Sequence, residues 1–341
     1  MNHHQMHCVI LYDLVQSGCR FFQRAFCGVL IGLMASATCA HAQNFPAKPI
    51  RLMVGYAPGG LTDGVARTLA PRLSEVFGQQ VVVENRGGGG STIGTDVVAK
   101  AQADGYTLLM ADQALISNAS LFQKLPYDTL KDLQPIALVG AASSVIVVHP
   151  SLSVRDLKAL IALAKSKPGA LNYASGGNGT LTHLAGELFK QVAGVDIMHV
   201  PYKGAGLAVV DFLGGQVPMM FSSIGPVAQH IKSGKVIALA VTGESRSSAL
   251  PDVPTLAELG LAPATVVGYW GMLAPAGTPS DVLEKLNNAV NATVKRPDIY
   301  QRLVDQGVEP TGGTSSNYEK ILRLEIPKWA EVIKHANIKI D

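Results

Sequence analysis

The feature that most constrains the fold is a regular alternation of short, β-rich apolar runs with longer segments of helical periodicity. The first run, 50–56, leads into a segment in which Val65, Leu69, Leu73 and Phe77 recur at helical spacing. Strands that alternate with helices favour parallel sheets covered by helices on both faces. We therefore expect an α/β fold in which each sheet is mostly parallel.

The alternation continues to the C-terminal end of the chain. Strands are expected at 50–56, 81–84, 106–110, 136–139, 145–149, 171–174, 197–201, 217–221, 236–242 and 266–274. Helices are expected at 62–77, 92–101, 156–165, 181–192, 207–213, 227–232, 279–294 and 318–335. Capping sequences beginning at Thr278 and Ser315 support the last two helices.

These elements fit two lobes better than one long sheet. Segment 141–144 (AASS) lies between two apolar runs and is expected to cross between the lobes. A second crossing is expected between 250–254 and 266–274, after which the C-terminal helices pack back on the first lobe. The lobe limits predicted in this way are 43–141 with 264–341 for lobe 1, and 142–263 for lobe 2.

The N-terminal segment has the features of a cleavable export signal. Two arginines precede an apolar run at 25–37, and Ala40 and Ala42 follow at the small-residue positions of a cleavage site. A membrane anchor is the alternative, but the run is shorter than the roughly 20 residues that a spanning helix needs. We expect cleavage before Gln43, which makes 1–42 the signal and sends the mature chain to the periplasm.

Cysteine usage limits the chemistry of the mature chain. The four cysteines all precede the expected cut, at Cys8, Cys19, Cys27 and Cys39. A lipoprotein site at Cys39 is a further alternative, although 36–38 (SAT) lacks the usual leucine. With cleavage before Gln43, disulfides, thiolate catalysis and cysteine-bound metal are excluded.

Charge and length restrict the partners. Cleavage removes 42 of the 341 residues, including two arginines and one aspartate, so the formal net charge falls from +3 to +2. The mature chain contains no run of basic residues, so nucleic acid is not expected as a partner. The remaining length suits two domains of ordinary size or one large one.

The strongest local motif is 56–63 (YAPGGLTD), which follows the first strand and opens the first helix. Gly59 and Gly60 let the backbone approach a ligand closely, and free N–H groups at a helix start favour an anion. Ligands of parallel sheets collect at the carboxyl ends of the strands, where this turn lies. The alternative is an ordinary turn capped by Thr62 or Asp63.

A second motif of the same kind, 172–183 (NYASGGNGTLTH), lies in the second predicted lobe. Ser175 and the glycine N–H groups offer hydrogen-bond donors, and Thr180 is the expected N-cap. His183 falls in the first helical turn, where the positive end of the helix dipole should keep it neutral. Two donor-rich helix starts, one in each lobe, are what clamping an anion across a cleft requires.

Other motifs carry less weight. The glycine-rich segment 86–94 lacks G-x-x-x-x-G-K-[ST] and favours a flexible loop entering a helix over a phosphate cradle. His183 and Glu187 are four residues apart, but two ligands do not make a metal site. Tyr202 and Lys203 could place a phenol and a cation at the cleft rim, or be a buried tyrosine beside a solvated lysine. No G-x-S-x-G elbow occurs, and no metal or cofactor is expected.

The chain resembles the substrate-binding proteins of tripartite tricarboxylate transporters, the Bug-type receptors, from about residue 49 to residue 336. The stretches that carry the resemblance are 56–63 (YAPGGLTD), 83–94 (VENRGGGGSTIG), 104–109 (DGYTLL), 171–183 (LNYASGGNGTLTH), 200–204 (VPYKG), 213–221 (LGGQVPMMF), 250–258 (LPDVPTLAE) and 273–279 (LAPAGTP). The resemblance implies a type II periplasmic-binding-protein fold whose two lobes close about a hinge. It also implies a receptor for small carboxylates, namely di- and tricarboxylates, acidic amino acids or aromatic acids, with membrane transporter subunits or a sensor as its partner. We expect the receptor to be a monomer.

The resemblance further implies that the two glycine-rich turns hold the ligand carboxylate, partly through water. The residues carried over in this way are Pro58, Gly59, Gly60, Thr62, Asp63, Ser175, Gly176, Asn178, Gly179, Thr180 and His183. Asp63 would either orient the loop or receive a ligand ammonium group. Many relatives have an acidic residue where Ser222 and Ser223 stand here, and its absence argues against an amino-acid ligand. An exported enzyme that uses His183 as a base in the same cleft is the alternative function.

Overall fold

A computed structural model of the chain describes residues 45–202, 204–335 and 338, so the predictions made for 1–42 and for Lys203 lie outside the described residues. Its strands are β1 (Ile50–Val54), β2 (Val81–Asn85), β3 (Thr107–Ala111), β4 (Leu133–Val148), β5 (Leu171–Ser175), β6 (Ile197–Pro201), β7 (Met219–Ser223), β8 (Ile237–Val241), β9 (Val267–Pro275) and β10 (Glu309–Pro310). Its α-helices are α1 (Leu61–Phe77), α2 (Thr92–Ala99), α3 (Gln113–Leu121), α4 (Leu157–Ser166), α5 (Leu181–Ala193), α6 (Ala205–Leu213), α7 (Ile224–Lys232), α8 (Ser280–Val294), α9 (Pro297–Asp305) and α10 (Ser315–His335). None of the described helices is both long and apolar enough to cross a membrane.

The strands form two sheets that share β4. The first has the order β2-β1-β3-β9-β4, with β10 also paired to β4, and the second has the order β4-β7-β5-β6, with β8 paired to β4. Within the first sheet β1 is parallel to β2 and β3, and within the second β5 is parallel to β6 and β7. Every antiparallel pair involves β4 or β9. The expected parallel βα units are therefore present, joined through the strands that connect the two sheets.

Strand β4 is the main connection between the sheets. It is 16 residues long, and its residues up to Ser143 pair with β9. From Ser144 onward its partners are β7 and β8 instead. Segment 141–144 therefore lies where one strand passes from the first sheet to the second.

The C-terminal helices return to the first sheet. Helix α8 contacts α1 and β4, and α10 contacts β4 and α3. Tyr318 and Trp329 on α10 are fully buried, so this helix contributes large side chains to the core. Burial of each large apolar side chain stabilises the fold by about 1.5–3 kcal/mol, so these two residues attach α10 to the first sheet.

The observed elements differ from the predicted ones at several places. Helices α3 and α9 and strand β10 were not predicted. Helix α3 is buried on nearly all sides, so its sequence lacks the polar face that reveals a surface helix. Helices α6 and α7 begin two and three residues earlier than expected, because their N-caps are Gly204 and Ser223. Helix α2 ends at Ala99, two residues earlier than expected.

The sheets place several helix starts on facing edges. In the first sheet β1 and β3 lead directly into α1 and α3, and in the second sheet β5 and β7 lead into α5 and α7. The two edges meet where the Ser117 hydroxyl on α3 donates to the carbonyl oxygen of Gly179, at 3.3 Å. The carboxyl ends of both sets of parallel strands therefore line one cleft, the usual place for a ligand in such sheets.

Candidate ligand-binding cleft

The first glycine-rich turn leaves the start of α1 open. Gly60 is the N-cap, with φ −82° and ψ 172°, and no side chain caps the helix. A Cβ atom added at Gly60 would meet nothing within 4 Å. Neither the backbone conformation nor the packing of the described residues requires glycine at this position. The missing side chain leaves space in front of N–H groups that have no partner within the helix.

Asp63 holds the shape of this turn. Its buried carboxylate accepts the Gly59 N–H at 2.9 Å and the Asn85 amide at 2.9 Å, and it pairs with Arg67 at 3.0 Å. Burial raises the pKa of Asp63, but hydrogen bonds from Arg67, Gly59 and Asn85 outweigh burial and leave the pKa lowered. The carboxylate is charged, already paired, and oriented toward its own loop. Of the two roles considered for Asp63, this geometry is that of loop orientation.

Asp112, which the sequence analysis did not identify, accepts hydrogen bonds from several residues beside that turn. It lies between β3 and α3 and accepts hydrogen bonds from the Tyr56 hydroxyl at 3.0 Å, the Thr62 hydroxyl at 2.7 Å and the Ala114 N–H at 3.0 Å. The Trp270 indole donates to the same Thr62 oxygen at 3.2 Å. Burial raises the pKa of Asp112. The hydroxyl proton of Thr62 is therefore used within the protein, which leaves its backbone N–H for a ligand.

The second glycine-rich turn is largely bonded to itself. Thr180 caps α5, since its hydroxyl accepts the His183 N–H at 3.4 Å and donates to the Gly177 carbonyl at 2.7 Å. Three glycine N–H groups donate to nearby side chains: Gly176 to Thr182 Oγ1, Gly177 to Ser175 Oγ and Gly179 to His183 Nδ1, each at 3.1 Å. The sequence suggested that these glycine N–H groups are free to donate to a ligand. In the structure they are used inside the turn and make it rigid. The N-cap role predicted for Thr180 is confirmed.

Two stacked histidines support this turn. The rings of His183 and His199 lie 3.9 Å apart at an angle of 12°. The pKa of His183 is lowered to about 4, mainly by burial and to a smaller extent by the positive charge of Lys190. The pKa of His199 is lowered to about 3, mainly by burial and to a smaller extent by the neighbouring His183. Both rings are therefore neutral at pH 7, with burial rather than the helix dipole as the main cause. Because His183 Nδ1 accepts the Gly179 N–H, the ring proton is on Nε2, which has no partner among the described residues.

Ser175 and His199 are close enough to suggest a nucleophile and its base. Ser175 Oγ lies 2.6 Å from His199 Nε2. Ser175 is, however, fully buried, and its oxygen also accepts the Gly177 N–H. The nearby carboxylate of Glu187 bonds to Tyr173 at 2.8 Å and to Lys190 at 2.9 Å. This geometry positions His199 beneath His183, and it leaves the serine without access to a substrate.

The predicted site residues thus divide by exposure. Pro58, Gly59, Gly60 and Asn178 are exposed, whereas Thr62, Asp63, Ser175, Gly179 and His183 are buried, with Gly176 and Thr180 between. The exposed members supply open backbone, and the buried members hold the two turns in shape. The open backbone at Gly59 and Gly60, where an added Cβ would meet nothing within 4 Å, is where a ligand can approach the N–H donors of the helix start.

The remaining glycine-rich segment, 86–94, has a packing role. A Cβ on Gly94 would lie 2.7 Å from the Gly55 Cα, and a Cβ on Gly55 would lie 2.5 Å from the Ser91 Cβ. Glycine at both positions therefore lets α2 approach the end of β1 closely. Gly94 therefore has a packing role that requires no bound phosphate.

Comparison with known proteins agrees with this architecture. The family model for the tripartite tricarboxylate transporter family receptor matches residues 65–338. Protein BugT of Bordetella pertussis is 38% identical over 318 residues, which are 93% of this chain and 98% of BugT. A Rhodopseudomonas palustris protein solved with adipate is 32% identical with a TM-score of 0.80, over 87% of this chain and 99% of that one. MatC from the same organism, solved with bound malate, is 30% identical with a TM-score of 0.75, over 85% of this chain and 100% of that one.

The solved relatives confirm the two-lobed periplasmic-binding-protein fold expected from the sequence. The family model matches most of this chain, and BugT is 38% identical to this chain over 93% of this chain's length. This chain therefore belongs to the tripartite tricarboxylate transporter receptor family.

Proposed function

We propose that the chain is an exported receptor that captures a small carboxylate between its lobes and delivers it to a membrane transporter. The observation that carries the proposal is the uncapped start of α1 at Gly60, with open space in front of it. This start lies on the edge of the first sheet, and the second sheet presents the prefolded Ser175–Thr180 turn on the facing edge. An anion held between them neutralises the partial positive charge of the helix end.

The charges of the cleft favour an anion held by neutral donors. Asp63 is already paired with Arg67 at 3.0 Å, and His183 is neutral with its Nε2 proton available as a donor. A charged helix-end interaction contributes about 0.3–1 kcal/mol at an exposed site and up to about 2 kcal/mol when partly buried. Several such donors together would hold the carboxylate.

The relatives support the class of ligand. One solved relative contains adipate and another contains malate, both of which are small carboxylates. Ser222, where the family resemblance leads one to expect an acidic residue, is fully buried and donates to the Ser223 carbonyl at 2.8 Å. No carboxylate of the chain is therefore available there for a ligand ammonium group. We favour di- and tricarboxylates and aromatic acids over acidic amino acids.

The proposal includes the remaining features expected from the sequence. Export with cleavage before Gln43, the lobe limits 43–141 with 264–341 and 142–263, and a monomeric state belong to it. The change of partner along β4 between Ser143 and Ser144 supports these limits. Intact mass of the exported protein tests the cut, since a mass that includes 1–42 would contradict it.

Binding is tested by thermal unfolding against a panel of carboxylic acids, followed by titration calorimetry. A ligand present at about 100 times its Kd should add about 2.7 kcal/mol to the free energy of unfolding. Gly60→Val should abolish the shift and leave the apo protein folded, because φ at Gly60 is −82° and the position is open. Gly78→Val, at the other end of α1 with φ +62°, strains the backbone but should retain binding. Equal binding by both variants would place the ligand elsewhere.

We propose that the cleft binds without chemistry. The alternative, an exported enzyme with His183 as base, is tested by following a bound carboxylate by NMR over a long incubation. Recovery of the unchanged carboxylate is the expected result. Appearance of a product that depends on His183 would support the enzyme instead.

A further inference from the structure

Gln113 carries an unexplained amide at the edge of the cleft. Its side chain is 2% exposed, and neither Nε2 nor Oε1 has a hydrogen-bond partner. Among the described residues it is the one side chain with two such buried atoms. Native proteins rarely leave buried amides unpaired, because each unpaired group retains its full desolvation penalty.

The position of Gln113 indicates what its partner is. It is the first residue of α3, directly after the cap Asp112. Ser117 lies one turn later on the same helix face, and its hydroxyl bonds to the Gly179 carbonyl of the other lobe at 3.3 Å. The Gln113 side chain therefore lies on the face of α3 that meets the second glycine-rich turn, between the two halves of the cleft.

An amide requires both an acceptor and a donor from its partner. A carboxylate provides acceptors for Nε2, but it has no proton for Oε1. The carboxylates beside the helix start are occupied, since Asp112 accepts from Tyr56, Thr62 and Ala114, and Asp63 is paired with Arg67. A ligand ammonium group would therefore find no free carboxylate at either Asp112 or Asp63 to balance its charge. A neutral donor, such as a hydroxyl, is the better match for Oε1.

We propose that Gln113 hydrogen-bonds the captured solute and selects carboxylates that bear a hydroxyl group over those that lack it. This inference rests on the proposed function and names the solute class within the same cleft. The solute's carboxylate oxygen accepts from Nε2, and its hydroxyl donates to Oε1. A solute without the hydroxyl leaves Oε1 unpaired in the closed cleft.

The test compares matched solutes on the wild-type protein by calorimetry: malate with succinate and aspartate, lactate with propionate and alanine, and 2-hydroxyglutarate with glutarate and glutamate. In the set that binds, the hydroxy acid should bind about tenfold or more tightly than the other two members. Gln113→Met retains the length of the side chain without its polar atoms. The variant should bind the hydroxy acid no more tightly than the unsubstituted acid.

The control is Thr293→Val on α8, which removes another buried hydroxyl that has no partner. It should leave both affinities unchanged. Gln113→Met without solute should melt no lower than the wild type, and a lower melting temperature would indicate a structural role and overturn the inference. Binding of carboxylates with no hydroxyl preference, or an equal loss for all members in Gln113→Met, would also overturn it while the proposed function stands. Absence of any carboxylate binding by the wild type would instead remove the proposed function itself.

Discussion

Asp63 shows how one carboxylate can serve an anion site without repelling the anion. Its bonds to Gly59 and Asn85 and its pairing with Arg67 hold the turn and neutralise its charge. From the sequence alone, we expect the negative charge of Asp63 to be unfavourable for binding an anionic ligand. Gly59 and Arg67 each lie four residues from Asp63, whereas Asn85 lies on β2, 22 residues away in the chain, so only the folded arrangement reveals that partner.

We predict that Asp63→Asn lowers the free energy of unfolding by about 1–3 kcal/mol, because one of the two buried acceptor oxygens becomes an NH2 group that faces other donors, and the charge paired with Arg67 is lost. Solute binding should also weaken, since the Gly59 turn is no longer held. Urea unfolding and calorimetry measure the two effects. Glu319→Gln breaks an exposed pair with Arg323 at the same i,i+4 spacing and should change neither quantity by more than about 0.5 kcal/mol. Similar effects from both variants would show that Asp63 has no special role.

The stacked histidines predict how stability depends on pH. The pKa values of His183 and His199 lie below the ordinary value of about 6.5, so below pH 6.5 the unfolded chain binds more protons than the folded one. The free energy of unfolding should therefore fall as the pH decreases from about 6.5 toward 4, by about 1.4 kcal/mol per pH unit for each such histidine.

Urea unfolding at several pH values between 7 and 4 measures this slope. His199→Phe keeps an aromatic ring against His183 and should give a shallower slope. His335→Gln, at an exposed position near the end of α10, should follow the wild type. A slope in His199→Phe equal to that of the wild type would contradict the assignment of His199 as a buried neutral group.

At the level of elements, the two helix starts differ in how their N–H groups are used. Helix α1 has no side-chain cap and remains open, whereas α5 is capped by Thr180 and its turn is bonded internally. A rigid turn loses little entropy on binding, and an open helix end provides unpaired N–H donors. Both helices follow parallel strands, and their N-cap residues differ: Gly60 has no side chain, whereas Thr180 has a hydroxyl that caps α5.

Thr180→Ala removes the cap and the bond to the Gly177 carbonyl. We predict that it lowers the free energy of unfolding by about 0.5–2 kcal/mol, as loss of a helix cap does elsewhere. Thr180→Ser retains the hydroxyl and should restore most of the stability. Chemical unfolding of the two variants measures the difference. Equal stability of the alanine and serine variants would show that the hydroxyl has no capping role.

At the level of the whole molecule, two contacts join the predicted lobes at points away from the glycine-rich turns. The Glu309 carboxylate of β10 accepts from the Ser248 hydroxyl at 2.6 Å. Gly225, at the start of α7, packs on the backbone of Gln306, where an added Cβ would lie 2.8 Å from the carbonyl oxygen. Glycine at 225 therefore permits the lobes to approach at a point outside the proposed carboxylate site.

We predict that Gly225→Ala weakens solute affinity about tenfold, because a closed state destabilised by about 1.4 kcal/mol lowers binding by that factor. The contacts of the solute itself are unchanged. Calorimetry measures the affinity, and small-angle scattering with saturating solute measures closure. Gly206→Ala, in the first turn of α6 where a Cβ meets nothing within 4 Å, is the control and should bind like the wild type. Full affinity in Gly225→Ala would show that closure does not require this contact.

Much of the fold was predictable because it depends on local patterns. The alternation of apolar runs with segments of helical spacing predicted nine of the ten described strands. The residues around Thr180 also predicted that it caps α5. Helix α3 was missed because it is buried on nearly every side and has no amphipathic period. With α3 missing, Asp112 and Gln113 could not be placed in the cleft.

The order of elements, the paired glycine-rich turns and the absence of cysteine after residue 42 follow from the amino-acid sequence, because spacing and residue type are local properties. The state of each group in the cleft depends on partners far away in the chain. Trp270 donates to Thr62 across 208 residues, and Ser117 reaches Gly179 across 62. Hydrogen bonding and desolvation act through space, so the neutral histidines, the paired Asp63 and the unpaired Gln113 are properties of the folded molecule.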